Sequence, residues 1–208
     1  MARLLGTVLV REEATRYPAN LHAMLRGISI AFGIVLAIAA QAQEPTSDAT
    51  AVSYSRSVAV PLNGIKLYDK VSEAWTWTLG KEPGAKVLKS DREGGVIEGT
   101  ARVNFRSAQL LLREESMGTI QYHVLVNVRA GECRITVNEL VHSGNKTTAR
   151  GGVHLGLLTR GLEPVKRVRG AGGGNAKRLY AEAKQVADAR ITVLLQAFEA
   201  RLRASAEP

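Results

Sequence analysis

A change of hydrophobic period constrains the fold of this chain more than any other feature. Between Ala85 and His142, apolar residues occupy alternate positions, and turn signals stand at Asp91 to Gly95, around Glu114 to Gly118 and at Ala130-Gly131. Alternation is the pattern of a strand with one buried face. The stretch therefore predicts four antiparallel strands in a meander.

Three further elements flank this meander. Tyr54 to Val60 alternate until Pro61, which predicts a first strand that ends there. Asn63 is placed to cap a helix whose apolar residues recur at three- and four-residue spacing until Gly80. From Asn175 onward, a stripe of the same spacing predicts a final helix of about seven turns.

The predicted order is β-α-β-β-β-β-α, and the predicted fold class is α+β. We expect a five-stranded antiparallel sheet with two helices on one face, because only one face of the alternating strands is apolar. Ile97, Val124 and Ile135 typify that core face. The opposite, open face is predicted to present Glu98, Thr100, Arg102, Asn104, Gln121, His123, Asn127, Arg129, Arg134, Thr136 and Asn138.

An uncharged apolar run follows Met24 and Arg26. It extends from Ile28 to Ala40 and ends in Ala40-Gln41-Ala42, which is the layout of a secretory signal peptide. As a helix the run would reach about 20 Å, short of the ~30 Å hydrocarbon layer, so it fits a cleaved segment better than an anchor. We therefore expect an exported protein, periplasmic or extracellular, that begins at Gln43 and has no transmembrane segment after cleavage. Residues 1–23 form an unusually long leader, and translation starts either at Met1 or at Met24.

The sequence thus divides into three parts. Residues 1–42 are the leader and signal peptide, residues 43–51 a disordered lead-in, and residues 52–205 a single α+β domain. Within that domain, residues 143–174 hold nine glycines and are interpreted as a long flexible loop.

Several motifs resemble those of a known family. They are Leu67, Tyr68 and Trp75 in the first helix, the stretch Gly94 to Gly99, and Ile120 to Val128 leading into the hairpin Arg129 to Arg134. The chain resembles, over about Val58 to Leu202, the exported bacterial domain of unknown function family 4468 (DUF4468), which has a TBP-like (TATA-box-binding-protein-like) fold. The resemblance implies that fold and no activity. Cys133 stands where the family usually has an aromatic residue.

Composition narrows the choice of partners. Residues 43–149 carry 13 basic and 12 acidic groups, whereas residues 150–208 carry 11 and 5. Such an excess of positive charge can mark a surface for anionic lipid, acidic glycan or nucleic acid, although a solubilising basic tail is the default interpretation. Export argues against nucleic acid, and the open face lacks the apolar wedges that a minor-groove reader inserts. The single cysteine, Cys133, lies in an alternating run and is predicted to be buried and inert.

No catalytic, cofactor-binding or metal-binding constellation is found in the sequence. Gly170 to Asn175 lack both the dinucleotide fingerprint and the Walker ending, so we interpret them as a flexible linker. His123 and His142 could share the open face, but without the carboxylate or thiol spacing of a zinc site. Glu114 and Glu115 are adjacent and would point apart in an extended segment, which does not suit an acid and base pair.

Five residues are the candidates for partner binding. Trp77 should face outward if Trp75 is buried, although packing beneath the glycine-rich loop is equally compatible with the sequence. Arg102, His123, Arg129 and Arg134 lie on the predicted open face, where guanidinium groups could hold an anionic or polar ligand.

The sequence therefore favours a non-enzymatic envelope module that needs no cofactor. It would bind an envelope protein or a polar or anionic ligand through the open sheet face or through the basic C-terminal third. The alternative is a hydrolase or lyase whose residues converge on the open face, for example His123 with Glu98.

Overall fold

The structure, a computed structural model, describes residues 50–110, 116–148 and 151–206. The leader, the signal segment and residues 43–49 of the lead-in lie outside the described residues, as do Glu114 and Glu115. Within the described ranges, no helix combines the length and the apolar character needed to cross a membrane.

Two helices and one antiparallel sheet make up the fold. The strands are β1 Tyr54–Ala59, β2 Lys86–Asp91, β3 Val96–Phe105, β4 Gly118–Arg129, β5 Glu132–Gly144 and β6 Gly156–Leu157. The helices are α1 Gly64–Trp77 and α2 Gly173–Ala206, and a short 3₁₀ helix, Leu79–Lys81, follows α1. Strands β1-β5-β4-β3-β2 are neighbours in that order, and β6 pairs with β5. The α+β class, the antiparallel sheet and the two helices are confirmed, but the count of five strands is wrong because β6 adds a sixth.

Helix α1 begins where the sequence predicts. The side chain of Asn63 accepts a hydrogen bond from the backbone N–H of Lys66 at 2.9 Å, which satisfies one of the donors that the first helical turn leaves unpaired. After Trp77 the regular helix stops, and the N–H of Thr78 bonds the carbonyl of Trp75. The buried side of α1 then faces the sheet.

Both helices share one core with the apolar face of the sheet. Trp75 of α1, Ile97 and Val124 of the sheet, and Leu179 of α2 are all buried in the same cluster. The indole of Trp75 lies against the backbone of Gly99, where an added Cβ would come within 2.8 Å of the ring. Gly99 is therefore needed for the close approach of α1 to β3.

Described residues of two segments that were predicted to be flexible lie against the sheet. Ala51 forms an isolated antiparallel bridge with Thr159, and Thr50 accepts a backbone hydrogen bond from Arg160 at 2.9 Å, so the lead-in is already ordered at residue 50. The glycine-rich segment contains β6, and its Val153 and Leu158 are buried. Gly173 to Asn175 form the first turn of α2, so their interpretation as a linker is wrong.

A β-bulge reverses the faces of β5 halfway along. Gln121 pairs with Val141, but His123 pairs with Asn138, so two residues of β5 stand opposite one of β4. At this point Glu139 has a positive φ of 52°. A one-residue shift moves every later side chain to the other face, and His142 is therefore buried on the core side instead of sharing the open face with His123.

Candidate binding surface on the open sheet face

The open face of the sheet carries most of the predicted site residues. The register places Arg102 of β3, His123 and Arg129 of β4, and Arg134 of β5 on the side opposite the core. Trp77 does not belong to this surface, because it lies on α1. The predicted group therefore separates into one sheet surface and one isolated helix residue.

Two of these arginines line the same cavity. Arg129 and Arg134, together with Asn127 and Glu132, surround a space of about 330 Å³ at the β4–β5 hairpin. The hairpin creates this grouping, since its register places Arg129 opposite Glu132 and Asn127 opposite Arg134. Gly131, at a φ of 82°, allows the tight turn that fixes the register.

The guanidinium groups at this cavity have unused hydrogen-bonding capacity. Arg134 donates from Nε to the hydroxyl of Ser57 at 3.3 Å, which leaves its two terminal nitrogens. Across the described ranges, neither arginine forms an ion pair, and Arg129 has no side-chain hydrogen bond. Planar guanidinium forks are suited to carboxylates and phosphates, because they can donate two parallel hydrogen bonds.

His123 forms a small hydrogen-bonded group in the middle of the open face. Its Nε2 lies 2.9 Å from Oε1 of Glu98, and its Nδ1 lies 3.3 Å from Oδ1 of Asn138. Because an ionised carboxylate can only accept, Nε2 is the donor to Glu98. The structure thus joins the His123 and Glu98 of the alternative hypothesis. With its proton on Nε2, the neutral ring can only accept at Nδ1, and the Oδ1 of Asn138 that faces this nitrogen is also an acceptor, so Asn138 Oδ1 supplies no proton to it.

Arg102 lies apart from the other two arginines, towards the β2 edge of the sheet. Its backbone N–H bonds the carbonyl of Pro83, and its side chain passes over Gly84, where an added Cβ would come within 3.1 Å of Nε. Gly84 has a φ of 62° and brings the preceding loop against this side chain. Arg102 therefore belongs to the open face but not to the cavity at the hairpin.

Trp77 is solvent-exposed, as the burial of Trp75 predicts. Its side chain is 53% exposed, and two cations lie over its ring, the Lys81 ammonium at 4.4 Å and the Arg201 guanidinium at 5.6 Å from the centroid. These cation–π contacts connect the end of α1 to α2. The ring of Trp77 therefore contacts Lys81 and Arg201, and the alternative, in which it packs beneath the glycine-rich loop, is wrong.

Sequence reasoning did not include Asn127, Glu132 and Asn138 among the site residues. The alternation does place Asn127 and Asn138 on the open face, and the glycine turn at residue 131 could have supplied the pairing of Asn127 with Arg134. The same register, continued from the hairpin, pairs Asn138 with His123 before the bulge begins, so the turn could have supplied this pairing as well. In the part of the chain that the structure describes, no group of three or more His, Cys, Asp or Glu residues could hold a metal ion.

Comparison with known proteins finds neither a matching family model nor a curated relative. Among solved structures, a DUF4468 family protein from Bacteroides ovatus is 20% identical, covers 71% of this chain and 86% of its own, and has a TM-score of 0.42. A TBP-like protein from Parabacteroides distasonis is 12% identical, covers 72% of this chain and 93% of its own, and also has a TM-score of 0.42.

The DUF4468 protein and the TBP-like protein represent the family and the fold that the sequence motifs resemble. The Zhui aromatase/cyclase from Streptomyces sp. R1128 is similar at 10% identity, covers 74% of this chain and 93% of its own, and has a TM-score of 0.32. Similarities this distant assign neither an activity nor a partner to the chain.

Proposed function

We propose that this protein is an exported, non-enzymatic binding module of the cell envelope, and that its open sheet face holds an anionic or polar group of its partner. The observation that carries the proposal is the cavity at the β4–β5 hairpin, where Arg129 and Arg134 converge without an ion-pair partner among the described residues. The signal-like segment of residues 24–42 supplies the argument for export.

The lining of the cavity favours one carboxylate or phosphate over a dense polyanion. Two guanidinium groups can hold a single anionic group through paired hydrogen bonds. Glu132 in the same wall repels further negative charge and can accept from a donor on the ligand. The partner we expect therefore presents an anionic group close to a hydrogen-bond donor, as envelope peptides and acidic sugars do.

The partner hypothesis is tested with two double variants of equal charge change. R129Q/R134Q removes both cavity arginines, and R167Q/R178Q removes two exposed arginines that lie outside this cavity. Partners are recovered by cross-linking in intact cells and quantified by mass spectrometry. We expect R129Q/R134Q to lower the recovery of the specific partner about tenfold or more, with the control near wild type. Equal recovery by the two variants would contradict the sheet-face proposal.

Export is tested separately on protein recovered from the envelope fraction of cells that express the full chain. We expect its N-terminus, determined by intact mass, to be Gln43. An intact Met1 on envelope protein would refute the cleavage, and recovery only from the cytoplasm would refute export.

One observation favours an enzymatic alternative, a hydrolase or lyase on the open face. Glu98 is hydrogen-bonded to His123, as the residue that orients a general base would be. Against it, Oδ1 of Asn138 lies 3.3 Å from the other ring nitrogen, Nδ1, so a substrate would have to displace Asn138 to deliver its proton there. A panel of esters, glycosides and phosphomonoesters tests this candidate. Turnover that both H123A and E98Q abolish would support it, and the lack of any turnover by the wild type would count against it.

A further inference from the structure

A larger cavity lies at the other side of the molecule from the hairpin turn, against the start of α2 and the glycine-rich segment. Its volume is about 500 Å³, within the range of small-molecule sites in proteins. Its described lining includes Leu110, Val153 and Leu179 as apolar walls and His154, Arg169 and Asn175 as polar groups. This site is separate from the open sheet face, and nothing in the proposed function uses it.

The chain fixes the backbone of Arg169 at the rim of this cavity. Val168, the preceding residue, is buried in the core with 6% exposure, and Ala171 packs against the same core. Gly170, at a φ of 80°, turns the chain between them. Buried neighbours on both sides therefore set the backbone position of Arg169, so ligand binding must order its side chain but need not order the chain around it.

The described lining of this cavity carries a net positive charge. Within residues 50–110, 116–148 and 151–206, Arg169 forms no ion pair and no hydrogen bond, and the described lining contains neither aspartate nor glutamate. His154 accepts a hydrogen bond at Nδ1 from the N–H of Gly144 at 3.2 Å, so the neutral ring carries its proton on Nε2 and is a donor there. The amide of Asn175 adds further donor capacity.

From this combination we propose that the cavity binds a small organic anion with an apolar body, such as a medium-chain alkyl carboxylate. The carboxylate pairs with Arg169, and the alkyl chain lies against Leu110, Val153 and Leu179. The apolar walls disfavour an inorganic anion alone, because its remaining hydration would be lost without compensation. The unpaired guanidinium disfavours a neutral ligand of the same shape, which would bury the cation without neutralising it.

The test uses decanoate, decanol and inorganic phosphate as probes, on protein recovered from cells that express the full chain, at concentrations below the micelle threshold. Binding is measured by calorimetry and by methyl chemical shifts of Leu110, Val153 and Leu179. We expect decanoate to bind and decanol to bind at least about tenfold more weakly. Phosphate should cause no shift of these methyl groups.

Two matched variants locate the site. R169Q should weaken decanoate binding about tenfold or more, whereas R167Q, which removes the same charge two residues away and outside the cavity, should stay within about twofold of wild type. Both positions are exposed, and a thermal melt verifies that each variant is folded. R129Q/R134Q should leave the decanoate-induced methyl shifts of Leu110, Val153 and Leu179 unchanged, which separates this site from the sheet face.

Three results would overturn the proposal. They are the absence of decanoate binding to the wild type, equal affinities for decanoate and decanol, and equal weakening by R169Q and R167Q. If phosphate shifted the methyl groups of Leu110, Val153 and Leu179 at concentrations as low as those of decanoate, the cavity would be a simple anion site, and the apolar part of the assignment would be lost.

Discussion

Ser107 Oγ donates a hydrogen bond to Oε2 of Glu182 at 2.6 Å, although the two residues are 75 positions apart in the chain. The other carboxylate oxygen, Oε1, accepts from the backbone N–H of Ala108 at 2.5 Å. Glu182 lies in α2 and is only 9% exposed, and Ser107 is buried as well. A single buried carboxylate thus holds the segment after β3 against the long helix.

This contact predicts a loss of stability on truncation. E182A leaves the Ser107 hydroxyl and the Ala108 N–H without their acceptor, and we expect the free energy of unfolding to fall by about 2 kcal/mol. E182Q keeps one acceptor oxygen and should cost less. The control is E163A, since the Glu163–Lys177 pair is exposed and such pairs contribute about 0–1 kcal/mol. Urea unfolding measures all three, and equal losses for E182A and E163A would contradict the prediction.

Cys133 should be unreactive in the folded protein. Burial, followed by the negative charge of Glu132, raises the pKa of the thiol to about 12, so almost none of it is thiolate at neutral pH. We expect no reaction with Ellman's reagent at about pH 7.5 until denaturant is added, after which about one equivalent reacts.

An S143C variant provides the positive control for this measurement, because Ser143 is exposed on β5. In the folded state, the introduced thiol of this variant should react with Ellman's reagent, whereas Cys133 should not. Rapid labelling of the native wild-type protein would show that Cys133 is accessible after all.

The strands and helices were predictable from the sequence wherever hydrophobic period and local chemistry agree. Alternation fixes β3, β4 and the first half of β5, and the side chain of Asn63 marks the start of α1. The later half of β5 was not predictable, because the bulge at Glu139 exchanges the two faces without a glycine to signal it. β6 was missed because two paired residues within a glycine-rich segment give no periodic signal.

The candidate site, too, was predictable where it depends on local sequence and not where it depends on pairing between strands. Alternation alone assigns Arg102, His123, Arg129 and Arg134 to the open face, since a side chain's face depends on local sequence. Which of them share a cavity depends on register between strands, and the hairpin joins Arg129 with Arg134 while Arg102 lies apart. The cavity beside Arg169 was missed entirely, because its walls come from four separate parts of the chain.

His142 should make the protein less stable in mild acid. Burial, followed by the positive charge of His154, lowers the pKa of its imidazole from 6.5 to about 4. Between these values the unfolded state binds a proton that the folded state does not, so stability falls as the pH drops from about 6.5 to about 4 and is unaffected by this group above that range. The full effect is at most about 3 kcal/mol.

The measurement compares urea unfolding of wild type and H142N across about pH 4.5 to 7.5. The variant can still accept from the N–H of Leu155, which bonds Nδ1 of His142 at 3.3 Å in the wild type. We expect H142N to be less stable at neutral pH but to have a shallower pH dependence in the acid range. Parallel curves for the two proteins would exclude His142 as the source.

Two glycines with similar backbone angles should differ sharply in their tolerance of alanine. Gly95 and Gly131 have φ values of 67° and 82°, so a side chain at either position is strained. An added Cβ at Gly131 meets nothing within 4 Å, and G131A should cost only the backbone strain of about 1–2 kcal/mol. At Gly95 the same atom would lie 2.3 Å from the carbonyl oxygen of Val128.

G95A must therefore also displace β4, where the N–H of Val128 bonds the carbonyl of Gly95 at 2.7 Å. We expect it to cost about 3 kcal/mol or more, measured by urea unfolding beside G131A. Both substitutions add one methyl group at a positive φ. The difference between their losses in the free energy of unfolding therefore measures the contribution of the close approach of the two strands. Equal destabilisation would show that backbone angle alone accounts for Gly95, and that the β3–β4 register tolerates a shift at this turn.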